Sequence, residues 1–79
     1  MIQEQVRAFV TSNFYVADPD TLKDTDSLLD SGVIDSTGVL EVIAFIEDTF
    51  GFTVEDAEML RENLDSIERI TYFVVRKKK

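Results

Sequence analysis

The sequence predicts an all-α fold, a small four-helix bundle with a long loop between its first and second helices. Three observations carry this. Apolar residues recur at helical spacing in the first, middle and last parts of the chain, the period of an amphipathic helix. An Asp-, Thr- and Ser-rich segment separates the first two of these stretches. The one strand-like run, residues 70–75, has no second run with which to pair, and a lone strand is not stable. With 79 residues and 44% hydrophobic content, the chain supports one compact domain, residues 1–79, with one small core.

In the first helix Ile2, Val6, Phe9 and Val10 fall at i, i+4, i+7 and i+8, and the pattern extends to about Phe14 or Tyr15. Pro19 stops any continuation, because the residue before proline is pushed out of the α region. From Asp18 to Asp35 the chain reads as a loop, pinned to the core by Leu22, Leu28, Leu29, Val33 and Ile34. The second helix carries Val39, Val42, Ile43, Ile46 and Phe50 on one side and Glu41, Glu47 and Asp48 on the other. Gly51 suits a left-handed C-cap, with Phe52 placed for the accompanying apolar contact.

Thr53-Val54-Glu55-Asp56 predicts a capping-box start for a third helix of about two turns carrying Ala57, Met59 and Leu60. A fourth helix is expected from Asp65-Ser66, with Glu68 as the reciprocal cap partner of Asp65. Its buried face is Ile67, Ile70, Phe73 and Val74. The residues expected to fill the core are Ile2, Val6, Phe9, Val10, Leu28, Leu29, Val42, Ile43, Ile46, Ile67, Ile70 and Val74.

Composition narrows the function. There is no cysteine and no histidine, which removes disulfides, any thiol nucleophile and the commonest general base and metal ligand at neutral pH. Sixteen acids against eight bases give a net charge of −8. Four of the bases are Arg76, Lys77, Lys78 and Lys79, so residues 1–75 carry sixteen acids and four bases, a net −12. Such a surface repels nucleic acid and attracts proteins with basic patches. The terminal basic run complements a helix C-terminus, and steering toward an acidic partner or a lipid surface stays open beside that reading.

Asp18, Asp20, Asp24 and Asp26 do not make a calcium loop of EF-hand spacing, because leucine falls at the fifth position counted from Asp18 or from Asp24; no metal site is expected. No apolar stretch has membrane-spanning length and the N-terminus lacks a basic region followed by an apolar one. The expectation is a soluble, cytoplasmic monomer without stable membrane insertion.

One hydroxyl stands out. In Leu28-Leu29-Asp30-Ser31-Gly32-Val33-Ile34-Asp35-Ser36-Thr37-Gly38, the Asp-Ser pair opens the second helix. Unpaired N–H groups and the positive end of the helix dipole make such a terminus a seat for phosphate. Ser or Asp there also caps a helix with no further role. If Asp35 is the cap, the Ser36 hydroxyl is free to face outward. Serving as a nucleophile would require a base and an oxyanion hole, and the chain has neither histidine nor a Gly-x-Ser-x-Gly elbow. Modification of Ser36 by another enzyme fits better.

Together with Val39-Leu40-Glu41-Val42-Ile43-Ala44-Phe45-Ile46-Glu47-Asp48-Thr49-Phe50-Gly51, this segment resembles the acyl carrier protein family, and the resemblance extends over nearly the whole chain. It implies that Ser36 receives a 4′-phosphopantetheine group from coenzyme A through a phosphopantetheinyl transferase. The terminal thiol of that group then carries acyl chains as thioesters, for fatty acid synthesis or a related secondary pathway. The chain itself would not be an enzyme, and its apolar interior could shelter the cargo.

The resemblance makes Asp35 part of the attachment motif. It assigns Glu41, Glu47, Asp48, Glu55 and Asp56 to docking with Arg and Lys of the transferase and of acyl-transferring synthase enzymes. The family usually has leucine directly after the serine, whereas this chain has Thr37 and then Gly38. Thr37 therefore bears on partner choice. Gly38 weakens the first helical turn or lets a partner's backbone approach. An aminoacyl carrier, peptidyl or D-alanyl, is the nearest alternative. An unmodified acidic interaction module is the alternative from another class.

Overall fold

The computed structural model describes residues 2–14, 16, 18 and 20–78. Tyr15, Pro19 and Lys79, all three invoked in reading the sequence, lie outside them. Four α-helices succeed one another: α1 (Ile2–Asn13), α2 (Ser36–Phe50), α3 (Arg61–Leu64) and α4 (Ile67–Lys78), with one 3₁₀ turn at Asp56–Glu58. The described residues contain no strand, and none of their helices is long and apolar enough to cross a membrane.

α4 is the central packing element, lying against α1, α2 and α3. Ile67, Ile70, Phe73 and Val74 are all at most 2% exposed, so the 3.6-residue period prevails over the β-branched composition of residues 70–75. Val6 and Val10 of α1 and Val42, Ile43 and Ile46 of α2 complete the layer. Three of the expected core residues, Ile2, Phe9 and Leu29, are instead half-buried against it. Val54 and Leu64, which carry no periodic signal of their own, are buried.

The long loop is held as the pins predict. Leu22, Leu28 and Ile34 are buried, while Leu29 and Val33 are half-buried. Arg7 reaches from α1 to Asp24 at 2.8 Å, and Gln3 also donates to Asp24. The Asp24 carbonyl in turn accepts the Glu68 N–H of α4 at 2.9 Å. One loop aspartate thus ties two helices together.

Two starts differ from expectation. The third helix does not begin at Thr53; the Val54 side chain is buried there and its N–H donates to the Glu47 carboxylate at 2.8 Å. Glu55 is the cap instead, its N–H donating to the Glu58 carboxylate at 2.9 Å. Beyond it the chain forms only the 3₁₀ turn and the four-residue α3, which leave Met59 and Leu60 exposed. Nor does Asp65 cap α4: the Ser66 Oγ accepts the Arg69 N–H at 3.0 Å, and Glu68 points its N–H at the loop.

Gly51 adopts the left-handed conformation, φ 76°, and its N–H reaches the Glu47 carbonyl at 3.0 Å. Phe52 meets the edge of Phe73 at 6.1 Å between ring centres. Gly38 has another reason to be glycine. A Cβ there would stand 2.9 Å from both the Ile34 Cγ2 and the Phe14 Cε1, so it is this chain's own Phe14 and Ile34, not a partner's backbone, that approach closely.

Gly38→Ala is expected to lower unfolding stability by about 1 kcal/mol, the overpacking of about 1–3 kcal/mol outweighing the smaller helix-propensity gain near a helix end. Urea denaturation checks this. A variant more stable than the parent would show that Phe14 swings aside at no cost.

Candidate functional site at the start of α2

Loop residues 27–35 deliver Ser36, and their backbone is bonded internally and to the α3–α4 junction. The Leu28 N–H donates to the Asp65 carbonyl at 2.7 Å, and the Ile34 N–H donates to the Leu28 carbonyl at 3.0 Å. Gly32, at φ 81°, makes the reversal between them, a conformation that costs glycine little.

The centre of this arrangement is Asp65, a residue whose sequence context suggested only a helix cap. Its side chain is nearly buried. One carboxylate oxygen accepts the Leu29 N–H at 2.9 Å. The other accepts the Ser27 hydroxyl at 2.7 Å and the Arg61 guanidinium at 2.9 Å. Arg61 also reaches Asp30 at 2.9 Å. Burial pushes the Asp65 carboxyl up, but the bonds from Ser27, Leu29 and Arg61 together hold it below the usual aspartate value. The same carboxylates push Arg61 up, its hydrogen bonds to Asp65 and Asp30 contributing most.

Asp35 is the N-cap of α2, in extended backbone, with its carboxylate accepting the Gly38 N–H at 2.7 Å. Its carbonyl accepts the Val39 N–H at 3.0 Å. Capping is therefore done by Asp35, and Ser36, the first helical residue, is exposed. The N–H groups of Ser36 and Thr37 precede the first intrahelical bond and face the terminus, as the first N–H groups of any helix do. An exposed hydroxyl beside unpaired N–H groups and the dipole's positive end suits a phosphodiester formed on its oxygen.

The other positions named from the sequence divide into three settings. Thr37, Glu41 and Asp48 are exposed and share one stripe of α2, since their spacings of four and seven residues return to nearly the same side of a helix. Glu47 lies on the stripe of Ser36 and Leu40, but its carboxylate holds the Val54 N–H. Glu55 and Asp56 are exposed at the 3₁₀ turn. Nearby Glu58 pairs with Lys77 at 2.9 Å; the backbone N–H of Glu55 and the Lys77 ammonium hold its carboxyl below the usual glutamate value.

Sequence reasoning missed the apolar surface next to Ser36. Leu40, Met59 and Leu60 are 59%, 39% and 45% exposed. Met59 and Leu60, with Leu29, Val39, Leu64 and the charged Arg61, line a small pocket of about 100 Å³. Val39 is one turn beyond Ser36, so the pocket opens within a turn of the hydroxyl. No signal in the sequence marks it, because Met59 and Leu60 fit a helical face equally well.

Comparison with known proteins bears on this terminus. The family described as "Phosphopantetheine attachment site" matches residues 4–72. A D-alanyl carrier protein of Streptococcus suis (strain 05ZYH33) is 33% identical over 66 residues, covering 84% of this chain and 82% of the relative. A D-alanyl carrier protein of Abiotrophia defectiva is 33% identical over 48 residues, 61% of each chain.

Proposed function

This chain belongs to the phosphopantetheine attachment family, and we propose that within it the chain is an aminoacyl carrier, of D-alanyl type, whose 4′-phosphopantetheine arm is attached to Ser36. The observation that carries the cargo class is the similarity to D-alanyl carrier proteins, one of them over more than four-fifths of both chains. Of the two cargo classes the resemblance left open, the aminoacyl one is thus better supported than the fatty-acyl one. The unmodified interaction module gives way to family membership.

The small pocket by Ser36 supports the same cargo. About 100 Å³ is the space of about three water molecules, at about 30 Å³ each. That accommodates a group of alanyl size.

In attachment, the Ser36 Oγ forms a new bond to phosphorus as the pyrophosphate link of coenzyme A breaks and adenosine 3′,5′-bisphosphate leaves. The hydroxyl proton leaves to a base of the transferase, because this chain has no histidine or cysteine to take it. Asp35 holds the first turn rigid through Gly38, and the helix terminus offsets the phosphodiester's charge. When bound, the group supplies the thiol that holds cargo as a thioester. Catalysis resides with partners, a phosphopantetheinyl transferase and an aminoacyl-loading enzyme with basic patches facing the acidic surface.

The test is loading. The chain, modified with coenzyme A and a broad-specificity phosphopantetheinyl transferase, is offered D-alanine, ATP and a D-alanine-activating ligase. A fatty acid with a fatty-acyl-loading enzyme is offered in parallel. Intact mass should show the alanyl adduct; an adduct with the fatty acid alone would overturn the cargo assignment.

A further inference from the structure

Eight bases stand against sixteen acids in this chain, enough carboxylates for every base to be paired. Arg7, Arg61 and Lys77 are paired, whereas Arg69 and Arg76 of α4 have no ion pair among the described residues. Neutral acceptors position them instead. The Arg76 guanidinium donates to the Asn63 Oδ1 at 2.8 Å and lies 5.8 Å from the Phe73 ring centre. Asn63 is fixed in turn, its Nδ2 donating to the Glu58 carbonyl at 2.9 Å. Arg69 donates more loosely to the Glu62 carbonyl, at 3.4 Å. Both guanidinium groups are held with their charge intact.

The two arginines line one cleft of about 680 Å³, walled by the 3₁₀ turn and α3 on one side and by α4 on the other. Buried Phe73 forms its floor, and exposed Tyr72 lies between the arginines along α4. Lys77 and Glu58 also line it but pair with each other at 2.9 Å. Glu62 is the one carboxylate of the lining without an ion pair among the described residues. Three cations against two carboxylates leave the cleft net positive in a chain of net −8. The surrounding negative charge is screened beyond about 8 Å at physiological ionic strength, whereas pairs made in contact are screened far less.

Spacing selects the occupant. Arg69 and Arg76 are seven residues apart, which puts them on nearly the same side of α4 about 10 Å apart. One phosphate or carboxylate cannot span them. A second helix laid alongside, with acids at i and i+7 and apolar residues between, reaches both forks and the Tyr72 ring together. An anionic bilayer fits less well. Lys77 is paired and Lys78 turns to the Phe50 ring, and two arginines fall short of the about four to eight clustered cations of lipid-binding segments. We infer that the cleft between the 3₁₀ turn, α3 and α4 docks an acidic amphipathic helix of a partner protein, its carboxylates on Arg69 and Arg76. This cleft shares no lining residue with the pocket beside Ser36, so the inference does not rest on the arm.

The test titrates the whole chain at physiological ionic strength into a labelled synthetic helix of about four turns, with glutamates at i and i+7 and leucines between them, read by anisotropy. A scrambled peptide of equal composition is the control. The designed helix should bind at least tenfold more tightly than the scrambled one, and Arg69→Gln with Arg76→Gln should weaken it at least tenfold. Both positions are exposed, so helical circular dichroism should match the parent. Tyr72→Ser, also exposed, repeats the test without removing charge. Lys78→Gln, a charge of α4 outside the cleft lining, should leave binding within about twofold. Equal binding of the two peptides, no binding of either, or a Lys78→Gln loss as large as that of the arginine pair overturns the cleft. Co-sedimentation with phosphatidylglycerol vesicles that the arginine variant abolishes, without peptide binding, would make the surface a lipid site and overturn the partner helix. Self-association abolished by that variant, again without peptide binding, would make the occupant a second copy and overturn it equally.

Discussion

Ser36→Ala abolishes the mass gain that the parent chain acquires from coenzyme A and a broad-specificity phosphopantetheinyl transferase, while leaving the fold intact. The alanine removes the hydroxyl proposed to form the phosphodiester and leaves the neighbouring Thr37 hydroxyl in place. The cap survives, because Asp35 rather than Ser36 accepts the Gly38 N–H. Helical circular dichroism and the thermal midpoint should therefore match the parent within about 0.5 kcal/mol, as at an exposed position away from special contacts. A variant that still gains the group would move the attachment elsewhere. Loss of modification accompanied by unfolding would show that Ser36, too, is structural.

Asp65→Ala should be the most damaging single change outside the apolar core. It leaves the partly buried Leu29 N–H without its acceptor and removes the anchor of Ser27 and Arg61. Hydrogen bonds to a charged acceptor contribute about 1.5–3 kcal/mol each, and an orphaned buried donor costs about 1–3 kcal/mol. Water replaces part of this at the exposed Arg61. The expected loss is about 2–4 kcal/mol, against roughly 4–12 kcal/mol for a domain of this length. At about 4–8 °C per kcal/mol, the melting midpoint falls on the order of 10–25 °C. A drop below about 5 °C would mean that the loop holds itself. Arg61→Ala, at a side chain 59% exposed, should cost about 1 kcal/mol or less.

The same carboxyl sets an acid limit. Asp65 and Glu58 titrate below their ordinary values of 3.8 and 4.5 when folded. A depressed folded pKa contributes stability that is complete above the unfolded value and is lost as pH falls through the folded one. The thermal midpoint should stay level down to about pH 5, then fall below pH 4.5 and more steeply below 3.8. Asp65→Asn should flatten the lower part of that descent. An unchanged acid profile in the variant would assign the descent to other carboxylates.

Much of the architecture is legible in the residues. The apolar periods of α1, α2 and α4, the Gly51 cap and the leucine pins of the long loop are local signals, and each agrees with the packing. Legibility failed where a polar residue had two equally good local uses. Asp65 before Ser66 looks like a cap, but the neighbouring serine does that work and frees the aspartate for a loop 36–38 residues away. Thr53 fits a capping box, yet the box forms two residues later, where the Glu58 carboxylate takes the Glu55 N–H. Gly38 reads as a weak helical turn until Phe14 is found above it.

The linear sequence by itself determined the helical class, the acidic surface, the absence of thiol and imidazole, and the placement of one hydroxyl at a helix N-terminus, since each follows from composition or near-neighbour spacing. Tertiary structure alone decided which carboxylates are free and which are consumed. It also decided that Arg69 and Arg76 line one cleft and that the pocket beside Ser36 is small. Those outcomes depend on which distant groups reach a given atom first, and chain order carries no record of that competition.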